Sequence, residues 1–126
     1  MHESTVQPDH PARDPRPLDI LTMRATAAEA LADDADIPTL DHLQTLTWML
    51  RGHLALLIPE VAVLACERPQ DDVWRAAAQA GLGEARRRLE VTQGGQLPVV
   101  LRHAQHLARS VNALCTHLEN LAVCDA

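Results

Sequence analysis

Two stretches of the chain keep an unbroken heptad of residues suited to burial. Leu40, Leu43, Thr47, Leu50, Leu54, Leu57, Val61 and Leu64 alternate spacings of three and four, and Leu97, Leu101, Ala104, Ala108, Val111, Cys115, Leu118 and Ala122 alternate four and three. One face of a helix returns at that period, so both stretches read as long helices packed along their length. No alternation of apolar and polar residues runs far enough to argue for a sheet.

The rest of the chain fits the same reading. Asp19 can cap a first helix whose face is Ile20, Met23, Ala27, Ala28 and Leu31, and whose pattern is lost at Asp33 and Asp34, acids that oppose a helix C-terminus. Thr39, after Ile37-Pro38, can cap the second helix. A third runs from about Val73 to Glu90 with Trp74, Ala78, Leu82, Ala85 and Leu89 inward. Gly94-Gly95 ends that region, and Pro98 sits in the first turn of a fourth helix reaching about Val123. Residues 1–17 hold Pro8, Pro11, Pro15 and Pro17 among polar residues and are expected to be a disordered tail. The expected fold is all-α, an antiparallel bundle of about four helices forming one domain over residues 18–126.

With 126 residues, 47% of them apolar, one real core is possible and a second has little room. That core must be aliphatic, because Trp48 and Trp74 are the only aromatic residues of the Phe, Tyr and Trp set. All eleven basic residues are Arg, which GC-rich coding explains without any functional demand for guanidinium. The net charge of −6 disfavours non-specific nucleic-acid binding, and no helix carries a recognisable set of base-reading residues. The most apolar window, roughly Leu46 to Ala65, is interrupted by Arg51, His53, Pro59 and Glu60, which argues against a membrane span. Cys66, Cys115 and Cys124 are odd in number and not closely spaced, so a reducing cytoplasm is expected.

The second helix has more apolar surface than one seam needs. Met49, Leu56 and Val63 form another seven-residue row, flanked by Trp48 and Ile58. Such a helix is central in a bundle or buries a second face in an oligomer, which makes Met49, Leu56, Ile58 and Val63 the expected interface. Pro59 removes a backbone bond, so a kink near Ala55 to Pro59 or a restart at Pro59 is expected.

Chemistry is thinly signalled. His103 and His106 are three residues apart but lack a matching Glu or second pair, so no metal site is expected. His103, Ser110 and His117 share what reads as a solvated polar face of the fourth helix. Cys115 belongs to the seam and Cys66 to a helix end, with no base placed to activate either. Arg86, Arg87 and Arg88 read as a solvated charged face, since Glu84 can meet Arg88 and Arg86 can meet Glu90. The Asp33, Asp34, Asp36 cluster lacks the Gly and terminal Glu of a calcium loop. No catalytic residue and no cofactor are identified. The one ligand set worth naming is Trp48, His53, Pro59 and Glu60, near the kink and beside the small residues of the third helix, Ala76-Ala77-Ala78, Ala80, Gly81 and Gly83.

Residues 51–61, Arg-Gly-His-Leu-Ala-Leu-Leu-Ile-Pro-Glu-Val, and residues 108–121, Ala-Arg-Ser-Val-Asn-Ala-Leu-Cys-Thr-His-Leu-Glu-Asn-Leu, with Gly83-Glu84-Ala85-Arg86 between them, carry a likeness. Over roughly residues 20–122 the chain resembles an actinobacterial family of small helical proteins of unknown function, some labelled as natural-product biosynthesis proteins. The resemblance implies specialised metabolism and assigns no reaction. The surplus of apolar rows on the second helix points to a non-enzymatic helical accessory protein, a homodimer or the partner of another protein. The alternative is a small-molecule binding protein or unusual enzyme with a pocket between helices near Pro59.

Overall fold

The computed structural model describes residues 18–32, 38–91 and 95–123; of Val123 only the backbone is described. The expected tail at residues 1–17, the Asp33, Asp34, Asp36 cluster, Gly94 and Cys124 lie outside these residues. Four helices account for nearly all of the rest: α1 Ile20–Leu31, α2 Leu40–Cys66, α3 Val73–Leu89 and α4 Leu97–Val123.

The helix starts are fixed by short polar side chains that accept otherwise orphaned backbone N–H groups. Asp19 accepts from the Thr22 N–H, Thr39 from the His42 N–H, and Asp72 from the Trp74 and Arg75 N–H groups. The Arg68 guanidinium also donates to Asp72, and Arg75 reaches back to the Arg68 carbonyl at 2.7 Å. These contacts fasten the short connection between α2 and α3. The last turn of α3 carries Arg86, Arg87 and Arg88, whose charges suit the negative end of the helix dipole.

α2 and α4 form the centre. Leu43, Leu50, Leu54, Leu57 and Val61 of α2 and Ala104, Ala108, Val111 and Cys115 of α4 are fully buried, the middle of each heptad, and Leu107 and Leu114 join them; at the heptad ends Leu40 and Ala122 are exposed. Burying a Leu side chain contributes about 1.5–3 kcal/mol relative to exposure, so this seam carries much of the fold. α1 and α3 each pack against both central helices, and among the described residues they do not touch one another. The pairs Thr26 with His53 and Glu29 with His42 run in opposite directions along α1 and α2. So do Gly81 with His117 and Arg88 with His106 along α3 and α4. The expected antiparallel four-helix bundle is therefore observed.

Several details differ from expectation. α2 continues as one helix through Pro59 and does not restart there. The carbonyl that Pro59 leaves without an N–H donor is that of Ala55, and Ala55 is exposed, so water can satisfy it. In α1 the inward set is Met23, Thr26, Ala27 and Ala30, with Ala28 turned outward. Trp74 stays exposed, because it lies in the first turn of α3, beyond the stretch where Ala78, Leu82 and Ala85 meet the core.

Candidate functional site

The wall of α2 opposite its buried seam is apolar and open. Trp48 is 76% exposed, Met49 43% and Leu56 39%, and Thr45, Gly52 and Ala55 share that side. Among the described residues, a Cβ added at Gly52 would meet nothing within 4 Å. No close approach among the described residues therefore requires this glycine, although a mid-helix Gly costs about 1 kcal/mol relative to Ala. Of the expected interface residues, Met49 and Leu56 lie on this wall and Val63 is half-buried. Ile58 is half-buried and packs against the core, because its position turns it toward the buried seam.

The flank of α2 toward α1 is polar. The Thr26 hydroxyl donates to the Thr22 carbonyl at 3.0 Å, so in its 3.2 Å bond with His53 the imidazole Nε2–H is the donor. Burial holds the His53 titration below its usual value, while the nearby Asp19 charge pulls the other way. The expected ligand set is thus divided. Trp48 and Pro59, eleven residues apart, share the outer wall; His53 and Glu60, seven apart, share the α1 flank. The two pairs therefore lie on different sides of α2, and Arg51, on a third side, donates to the Leu89 carbonyl of α3.

A polar seam joins α3 to α4, and it corrects the reading of His103, Ser110 and His117 as a solvated row. Ser110 is buried. Arg88 crosses from α3 and donates to the Ser110 hydroxyl at 2.9 Å and to the His106 carbonyl at 2.7 Å. Glu84 pairs with Arg88 at 2.8 Å, as the spacing predicts, and with Arg87 at 3.1 Å. One turn pair further along, the His117 ring lies over Gly81, where an added Cβ would sit 2.9 Å from ring atoms. The absence of a side chain at Gly81 makes room for the imidazole. Among the described residues, His103 Nε2 is buried and has no hydrogen-bond partner, and the same holds for Arg51 Nη1.

The histidines of this seam favour the neutral form. His103 is lowered by burial, then by the Arg51 and His106 charges. His106 is lowered by burial and by Arg88, Arg109 and Arg102, with Glu84 opposing. His117 is lowered by burial alone. Burial pushes the Cys115 thiol up, which makes it a poor nucleophile, while Cys66 is a free thiol on the surface. Across the other side of α4, Arg24 of α1 binds Glu119 at 2.9 Å and Thr116 at 3.2 Å.

Among the described residues no three His, Cys, Asp or Glu side chains are grouped to hold a metal ion. α2 is long and apolar enough, by length and composition, to cross a membrane. One of its faces is nevertheless committed to α4, and its flanks carry Arg51 and His53. The sequence missed the polar seam because a helical row of His and Ser looks the same whether water or a neighbouring helix covers it. Its one available signal was the pairing of small residues in α3 with polar ones in α4. No curated protein and no solved structure matches the chain. A family match extends over residues 21–123, the whole helical bundle from α1 to α4, and the chain belongs to DUF6415, a family of unknown function.

Proposed function

We propose that the protein is a helical accessory protein that pairs with a second copy of itself through the outer wall of α2. The observation that carries this reading is the exposure of Trp48, Met49 and Leu56 around a glycine with open space above it. A second copy fits that wall better than an unrelated partner, because the wall is self-complementary about Gly52. In an antiparallel crossing centred there, Trp48 meets Leu56, Met49 meets Ala55 and Thr45 meets Pro59, and each contact occurs twice. Gly52 lets the backbones approach at the axis. No charged residue lies on the wall between Thr45 and Pro59, so association desolvates no ion.

The strip from Thr45 to Val63 is about 28 Å long and about 10 Å wide, which places the contact among small, weak interfaces. The free thiols Cys66 and Cys115 fit a reducing cytoplasm. The likeness of residues 51–61 and 108–121 to actinobacterial proteins labelled for natural-product biosynthesis supports a role beside such a pathway.

Size-exclusion chromatography with light scattering tests the pairing. A mass rising toward two chains with concentration, abolished by Trp48→Glu, is the expected result. A single-chain mass up to roughly 100 µM overturns it.

A further inference from the structure

The side of α4 that faces away from α2 gathers positive charge on a protein that is negative overall. Arg102, His106 and Arg109 are spaced four and three apart and therefore share one face of the helix. Arg102 and Arg109 are exposed and His106 is half-buried. Arg88 approaches the same imidazole from α3 and is held there by the His106 carbonyl and the Ser110 hydroxyl. Among the described residues, the Arg88, Arg109 and Arg102 charges disfavour the protonated form of His106, and Glu84 favours it. Glu84 is itself shared between Arg87 and Arg88.

A second observation lies behind this face. His103 adjoins His106, and Arg51 bears on His103. Arg51 Nη1 and His103 Nε2 are both buried without a hydrogen-bond partner among the described residues. These buried nitrogens lie on the inner side of α4, so the groups behind the exposed Arg102 and Arg109 are imidazole and guanidinium. Like charges held together cost stability unless an anion neutralises them.

We infer that the outer face of α4, at Arg102, His106 and Arg109 with Arg88 beside them, binds a compact dianionic oxyanion, phosphate or a phosphoryl group. Guanidinium forks match tetrahedral oxyanions with paired hydrogen bonds, and a protonated His106 adds a donor. The ligand is compact because a net charge of −6 repels a long polyanion, which would lie across the rest of the surface. The face is separate from the α2 wall, so this site stands or falls independently of self-pairing.

Binding and protonation are linked, which supplies the test. An anion on this face favours the charged form of His106, and by reciprocity it binds more tightly as His106 gains its proton. NMR titration of the His106 ring, assigned with His106→Asn, is followed in sulfate, whose charge is constant over the range, and in chloride at equal ionic strength. Sulfate is expected to raise the pH at which His106 titrates by about one pH unit, corresponding to about tenfold tighter binding to the protonated form. Arg102→Gln with Arg109→Gln, both exposed positions, is expected to remove the difference while leaving the fold intact by circular dichroism. Inorganic phosphate and glycerol phosphate then separate the sources: equal effects identify the free ion, and a larger effect of the ester identifies a phosphorylated small molecule. Identical titrations in sulfate and chloride, or a sulfate effect that survives the double substitution, overturn the proposal.

Discussion

α2 and α4 are both 27 residues long and are buried against each other, yet they present opposite chemistry to the outside. The outer wall of α2 shows Trp48, Met49, Ala55 and Leu56, while that of α4 shows Arg102, Arg109 and Thr116. Equal length and equal centrality do not make the helices equivalent. The core determines one face of each, and what remains is free to record a different purpose. The self-pairing proposed above uses the apolar wall, and the proposed oxyanion site uses the cationic one.

The comparison predicts first that the inner faces are equivalent. Leu54→Ala and Leu107→Ala each truncate a fully buried side chain and should each cost about 2–5 kcal/mol by urea unfolding. A cost below that range for Leu54 alone would break the symmetry of the central pair.

Acid should act more strongly through α4 than through α2. His103, His106 and His117 of α4 and His53 of α2 all have folded-state values lowered from the ordinary 6.5, with burial as the largest cause. The unfolded chain therefore binds more protons in the window below about 6.5, and stability falls as pH falls through it. Above that window the contribution is fully present. The unfolding midpoint should be level at mildly alkaline pH and drop on acidification, and His117→Gln should flatten the drop.

Gly52 and Gly81 sharpen the contrast between an open wall and a filled seam. Gly52→Ala places its methyl in open space and should stabilise the monomer by about 1 kcal/mol. Gly81→Ala has the same gain in helix propensity but must displace the His117 ring, so its thermal midpoint should lie below that of Gly52→Ala. If Gly52 lies at a crossing, its alanine variant should also dimerise less. The smallest effect expected is that of Trp48→Ser on dilute protein, within about 0.5 kcal/mol of wild type, because the side chain touches little of the core.

The apolar periodicity was enough to read the fold. Each seam residue repeats at the helical period, and Asp19, Thr39 and Pro98 mark starts whose chemistry is local. The flanks were harder. Ser110 is buried because Arg88 arrives from α3, a contact 22 residues away in sequence that no pattern within α4 encodes. Ile58 and Met49 both looked available to a partner, but one turns toward the seam and the other away from it. Pro59 looked like a break, and it is tolerated because its helix face is open to water. Spacing identified the candidate ligand residues Trp48, His53, Pro59 and Glu60 without revealing that they divide between two sides of one helix.

The separation of α1 from α3 has its own consequence for how the molecule opens. Each flanking helix docks on the central pair alone, so loosening one transmits no direct loss to the other. α1 buries Met23, Thr26, Ala27 and Ala30, and α3 buries Ala78, Leu82 and Ala85. Amide hydrogens of these two helices should exchange in independent subglobal events, ahead of those of α2 and α4, which report global unfolding. Damage to one flank and damage to the other should then add, because each flank docks separately on the same central pair.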